Sequence, residues 1–266
     1  MNKIVLSSLL ASTLLISAHA EDMKVTPLVT HTELGYIQTD GNTKTKTFNL
    51  EAKAKKAWGK HEGEFHFDGQ YADDDGVETK NKYLLELNYN YSFTKRLAFD
   101  YLVGYKDDKF SGYDYQFYTG PGAKYKAIAT EQHDLTLSGN ILYSQDKKMD
   151  IHYADAAKTI IIDYPYHNAT TVATDPGKTT DYAAYRVKGE YEYKITKTLK
   201  FNQDLSLRGD FEESDNYFVF SKTALSSKIS DIFSAGISYK VDYANRPPAD
   251  KKSTDSTLTI NLIMDY

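Results

Sequence analysis

Residues 185–194 alternate without a break. Tyr185, Val187, Gly189, Tyr191 and Tyr193 take one side of an extended chain, and Arg186, Lys188, Glu190, Glu192 and Lys194 take the other. Successive side chains of a strand point to opposite faces, so this segment reads as a two-faced β-strand; a helix would scatter both sets around its axis. The same period recurs along the chain. Phe65, Phe67, Gly69 and Tyr71 oppose Glu64, His66, Asp68 and Gln70, and an unbroken apolar row runs from Tyr83 through Tyr91 to Phe93. In the last stretch Leu258, Ile260, Leu262, Met264 and Tyr266 oppose Thr257, Thr259, Asn261 and Asp265, with Ile263 out of step. The pattern predicts about twelve strands, each of about ten or more residues.

The connections alternate too. Tight ones fall at Gly59 and Lys60, Thr94 and Lys95, 128–130, Thr196 and Lys197, and Ser230 and Asp231; the others are longer and more acidic, including 73–76 and 107–112. Short turns on one rim and long loops on the other are the pattern of an outer-membrane barrel. Period two alone leaves the facing open, because a soluble barrel would bury the same apolar rows. Three features favour the inverted arrangement. Tyr and Phe cluster toward the ends of the apolar rows, the loop lengths are asymmetric, and the polar rows carry charges of both signs that can pair across a narrow lumen. The chain has 23 Tyr and 12 Phe but 1 Trp, and Tyr suits the boundary between lipid and water. A mean hydropathy of −0.57 does not count against a membrane barrel, whose two faces cancel. In the sixth strand Tyr113, Tyr115, Phe117 and Tyr125 are assigned to the lipid side.

The expected fold is therefore all-β: a transmembrane antiparallel up-and-down β-barrel of about 12 strands. Residues 1–20 read as a signal peptide, with Lys3, an apolar run and an Ala18-His19-Ala20 cleavage site. Residues 21–266 are the barrel domain, with 144–181 as a long extracellular loop. Removing 1–20 leaves 31 Lys+Arg against 37 Asp+Glu, a net charge of about −6 that argues against nucleic acid. No cysteine is present, so no disulfide staples the fold. The expected location is the outer membrane of a Gram-negative bacterium. The expected partners are its lipid, lipopolysaccharide and the barrel-assembly machinery, with the terminal aromatic Tyr266 as insertion signal.

The lumen row is the candidate functional lining. It comprises Glu86 and Asp100, Lys124, then Arg186, Lys188, Glu190 and Glu192 on one strand, and Asp204 and Arg208 on the next. Eight strands fill with side chains and sixteen leave a channel, so twelve leaves open both a narrow path for ions or small solutes and a lumen closed by its own ion pairs. No enzyme, cofactor or metal site is assigned. Asp150 and His152, or Asp163 and His167, lie close in sequence but lack a fixed nucleophile, and no G-x-S-x-G elbow occurs. Asp73, Asp74, Asp75 and Glu78 lack the alternation of a calcium loop, and Asn168-Ala169-Thr170 reads as a chance glycosylation triplet. The apolar stretches 160–162 and 164–166 should not lie bare in water. They are expected to fold over the mouth or to extend the flanking strands as a hairpin.

Three motifs carry a family resemblance. The first is 35–43, with Gly35, Gly41, Asn42 and Thr43, followed by Trp58. The second is 110–115, with Phe110, Gly112, Tyr113 and Asp114. The third is 242–248, with Asn245, Arg246, Pro247 and Pro248. In these motifs and their spacing the chain resembles the salt-induced outer membrane protein family, YdiY-like proteins that form a domain family of unknown function. The resemblance implies an outer-membrane barrel and, in places, induction by salt; it implies no established activity. The long 144–181 connection departs from the family pattern, as does an Asp-Tyr ending where the family usually ends in Phe.

Overall fold

A computed structural model describes residues 26–39, 44–153, 173–248 and 251–266. Fourteen strands follow in chain order: β1 (Val29–Thr39), β2 (Thr45–Trp58), β3 (His61–Asp74), β4 (Val77–Ser92), β5 (Leu97–Asp108), β6 (Tyr113–Ala129), β7 (His133–Lys148), β8 (Ile151–Tyr153), β9 (Ala173–Asp175), β10 (Thr179–Lys194), β11 (Leu199–Asp210), β12 (Tyr217–Lys228), β13 (Phe233–Ala244) and β14 (Thr254–Asp265). Twelve of them pair antiparallel with their neighbours into one closed barrel, and β8 and β9 form a separate two-stranded sheet. The expected architecture and strand number hold.

The ring closes where β1 meets β14. Residues 31–34 pair with 262–265, and Thr30 and Tyr266 exchange two backbone bonds of 2.6 and 3.0 Å. This ladder is short. On its other edge β1 pairs along its whole length with β2. Both ends of the described chain lie at the rim of tight turns, which span 59–60, 93–96, 130–132, 195–198 and 229–232. The third turn falls two residues later than the sequence suggests, because β6 runs on to Ala129.

The other rim needs two corrections. The acidic stretch 73–76 is not a loop. Asp73 and Asp74 belong to β3, and Asp75 and Gly76 alone make the turn, both at positive φ (53° and 83°). That is the two-residue turn whose twist matches a hairpin. The connection assigned to 144–181 is also shorter, because β7 and β10 stay paired as far as Lys147 and Thr179. Beyond them β8 and β9 extend the hairpin; residues 154–172, with Asp163, His167 and the apolar stretches, lie outside the described residues.

The apolar rows face outward. Leu258, Ile260 and Leu262 are 61%, 67% and 50% exposed, while Thr259, Asn261 and the out-of-step Ile263 are buried toward the lumen. Aromatic rings gather at both rims. Trp58 stacks on His61 and His133 on Tyr193 at the tight turns, and Tyr83, Tyr105 and Tyr115 stack in sequence at the loop rim. Two such girdles bound an outward apolar band in membrane barrels. Tyr113 departs from its expected side. A register shift between Tyr113 and Tyr115 turns it into the lumen, where it is buried against Phe218 at 6.0 Å. A bulge inserts one residue and so reverses the facing of whatever precedes it.

Candidate functional site

The inner face is a lattice of ion pairs, as buried charges require partners. Near the loop rim Asp242 on β13 binds Lys82 of β4 (2.6 Å) and Lys106 of β5 (3.1 Å). β5 and β13 stand opposite each other in the ring, so this contact crosses the full lumen. At mid-height Glu51 collects Lys53 (3.1 Å), Lys222 (2.8 Å) and Lys240 (2.9 Å). Lys222 reaches on to Glu33 (2.7 Å), and Lys240 also binds Asp68.

Every residue of the predicted lumen row points inward. Glu86 pairs with Arg186 (3.1 Å) and accepts a bond from the Tyr118 hydroxyl (2.6 Å). Tyr118 lies against Gly104, where a Cβ would overlap its ring. Asp100 accepts bonds from Asn88 (2.9 Å) and Asn140 (2.6 Å). Arg208 lies between the rings of Tyr118 and Phe218, at 4.8 and 4.7 Å, and 3.7 Å from Asp146. Toward the tight turns Lys124 pairs with Glu64, Lys188 with Glu190 (2.7 Å), Asp204 with Lys53 (3.6 Å) and Glu192 with Lys200 (3.7 Å).

Two cavities lie among these contacts. A cavity of about 350 Å³ runs from Phe110 and Pro247 at the mouth down to His66 and Arg186. A second, of about 390 Å³, opens at the tight-turn rim between Lys55, Glu64, Lys124 and Glu192, and Asp204 borders both. A small apolar cluster of Leu102, Leu142, Ala184 and Tyr118, joined by Leu84 and Tyr182, fills part of the interior.

The sequence pattern left Glu51, His66, Lys222, Lys240 and Asp242 out of the site, although period two already placed His66 on a polar row. Glu51, His66 and Asp68 bring ligand atoms within 4.8 Å of one another, a spacing suited to a metal. The ammonium groups of Lys53 and Lys240 already neutralise those carboxylates, so the trio fits a cation poorly. Asp150 and His152 do not form a pair. Asp150 caps the Gly177 amide (2.8 Å) and His152 meets Thr174 (3.0 Å). Glu78 binds Asn81 (3.1 Å) and does not gather with the turn aspartates.

Two of the three family motifs meet. Gly112, at φ +81°, lies against Pro248 and Lys251, so the 109–112 turn touches these two residues across the mouth. Arg246 binds Glu213 (2.5 Å) and Asp215 (3.2 Å), and Asn245 donates to the Asp215 carbonyl (2.8 Å). Asp114 pairs with Lys147 (2.6 Å). Gly35 faces the lumen against Thr259 and Asn261, whereas Gly41, Asn42 and Thr43 lie outside the described residues.

Residues 32–266 match the family described as protein of unknown function, DUF481. The chain belongs to the DUF481 family. A comparison with curated proteins finds no match. Among solved structures, this DUF481 chain is similar to the NanC porin (12% identity over 89% of this chain and 98% of that one, TM-score 0.46). It is also similar to the translocator domain of the autotransporter NalP from Neisseria meningitidis (8%, 94% and 90%, 0.41) and to the KdgM porin (10%, 90% and 98%, 0.39).

Proposed function

We propose that this DUF481 protein is an outer-membrane barrel whose lumen is a narrow path for ions or small solutes, restricted by ion pairs that cross it. The observation that carries the reading is the Lys106–Asp242–Lys82 bridge between opposite walls, which lines one cavity while a second opens toward the tight turns. Outward apolar rows between two aromatic girdles support the membrane setting. In this reading a signal peptide ending at Ala20 exports the chain and the barrel-assembly machinery recognises the strand ending in Tyr266. The long-loop rim then meets lipopolysaccharide outside the cell. The proposal extends to a role under osmotic load only on the sequence resemblance.

The density of the lattice favours a second reading, a closed structural or surface-interaction barrel, because Glu51 alone holds three cations within 3.1 Å. Planar-bilayer recordings separate the two. The channel reading expects small openings for the unaltered protein and larger ones for Asp242→Ala, which removes the bridge. Silence from both proteins would replace the channel by the closed barrel.

A further inference from the structure

Near the long loops the inner wall turns aromatic. On β12 the inward row opens with Phe218 and Phe220 before it reaches Lys222. The register shift in β6 brings Tyr113 in beside Phe218. Phe110 joins them at the mouth, and all four line the cavity of about 350 Å³. Rings suit a water-filled lumen poorly, and no lipid needs them on that face. Ligand pockets of about 300–1,000 Å³ are built in this way, with apolar walls and a few convergent polar groups.

The polar groups are Arg208 and Gln116, both buried and both on the cavity wall. A guanidinium carries a fork of N–H donors. Among the described residues Arg208 makes one hydrogen bond, a long one of 3.5 Å to the Ser144 hydroxyl, and its carboxylate neighbour Asp146 stays 3.7 Å away. Asp146 takes its own short bond from Tyr182 instead (2.8 Å) and does not line the cavity. Arg186, one tier deeper, differs: Glu86 and Ser206 hold it at 3.1 Å. The Gln116 Nε2 has no hydrogen-bond partner among the described residues. Buried donors left unmade are costly, and a carboxylate can take a guanidinium fork with two parallel bonds. The spare donors therefore ask for an anionic acceptor, and the rings around them ask for a flat apolar body.

We propose that the mouth-side cavity binds a small aromatic carboxylate, its acid group held by Arg208 beside Gln116 and its ring laid among Phe110, Tyr113 and Phe218. The site names a solute class for the lumen and so rests on the lumen being reached from the mouth. Binding is read apart from conductance. Binding with silent bilayers would reject the path alone, and openings without binding would reject this site alone.

The full chain in detergent micelles at low salt is titrated with 4-fluorobenzoate and followed by fluorine NMR. The neutral 4-fluorobenzamide, run in parallel, reports partition into the micelle and contact through the ring alone. The unaltered protein is expected to bind the acid saturably and more tightly than the amide. Arg208→Lys keeps the charge beside Asp146 but loses the fork, and should weaken the acid about tenfold without changing the amide. Phe218→Leu should weaken the acid roughly fivefold, the worth of one ring contact, and it serves if the Arg208 variant does not fold. Absence of saturable binding by the unaltered protein overturns the proposal, as does an acid affinity that neither variant changes. Displacement of 4-fluorobenzoate by an equal concentration of glucuronate overturns it too, because the cavity would then take a sugar acid.

Discussion

Glu86 and Arg186 carry opposite charges on β4 and β10, and each is less than 10% exposed. Removing one partner of a buried pair leaves the other charge without compensation, a loss of about 3–5 kcal/mol, whereas replacing both with apolar groups is often neutral. Arg186→Leu should therefore lower the urea midpoint for loss of the folded band sharply. Glu86→Leu/Arg186→Leu should recover much of that loss. At this scale the sequence told which side chains turn inward but not whom they meet. Glu51 and Lys222 lie 171 positions apart, and no local pattern links them. Tyr113 was misassigned for a different reason: alternation cannot register a bulge.

Among the elements, strand positions were legible because each strand has an apolar face outward and a polar face toward the lumen, so period two is enforced from both sides. The turns were less so. The Asp75–Gly76 turn was read as a loop because three aspartates in a row resemble a solvated connection, yet two of them pair with β4. Gly76 sits at φ 83°, where a side chain is strained. Gly76→Ala should cost about 1–2 kcal/mol, seen as a lower urea midpoint for the folded species. Gly59→Ala, also at positive φ (60°), gives the matching measurement at the opposite rim.

For the molecule as a whole, the wall runs apolar outside and charged inside. Leu205 faces outward between Phe201 and Phe211 and is 52% exposed. Leu205→Arg should cost about 2–4 kcal/mol in lipid, measured from folding equilibria in vesicles, because it buries a cation near mid-bilayer. If this same outward face met water instead of lipid, the change would be nearly silent. The order of strands around the ring followed from up-and-down connectivity, but the crossing of the lumen did not, since it depends on which strands end up opposite. That crossing also bears on how the molecule is made. Lys240 and Asp68, Lys222 and Glu33, and Lys106 and Asp242 sit on strands that are not neighbours. A flat, uncurled sheet would hold these groups far apart, each hydrated alone. Their attraction is gained only as the sheet rolls up, so the final docking of the two terminal strands and the neutralisation of the interior are a single event in assembly.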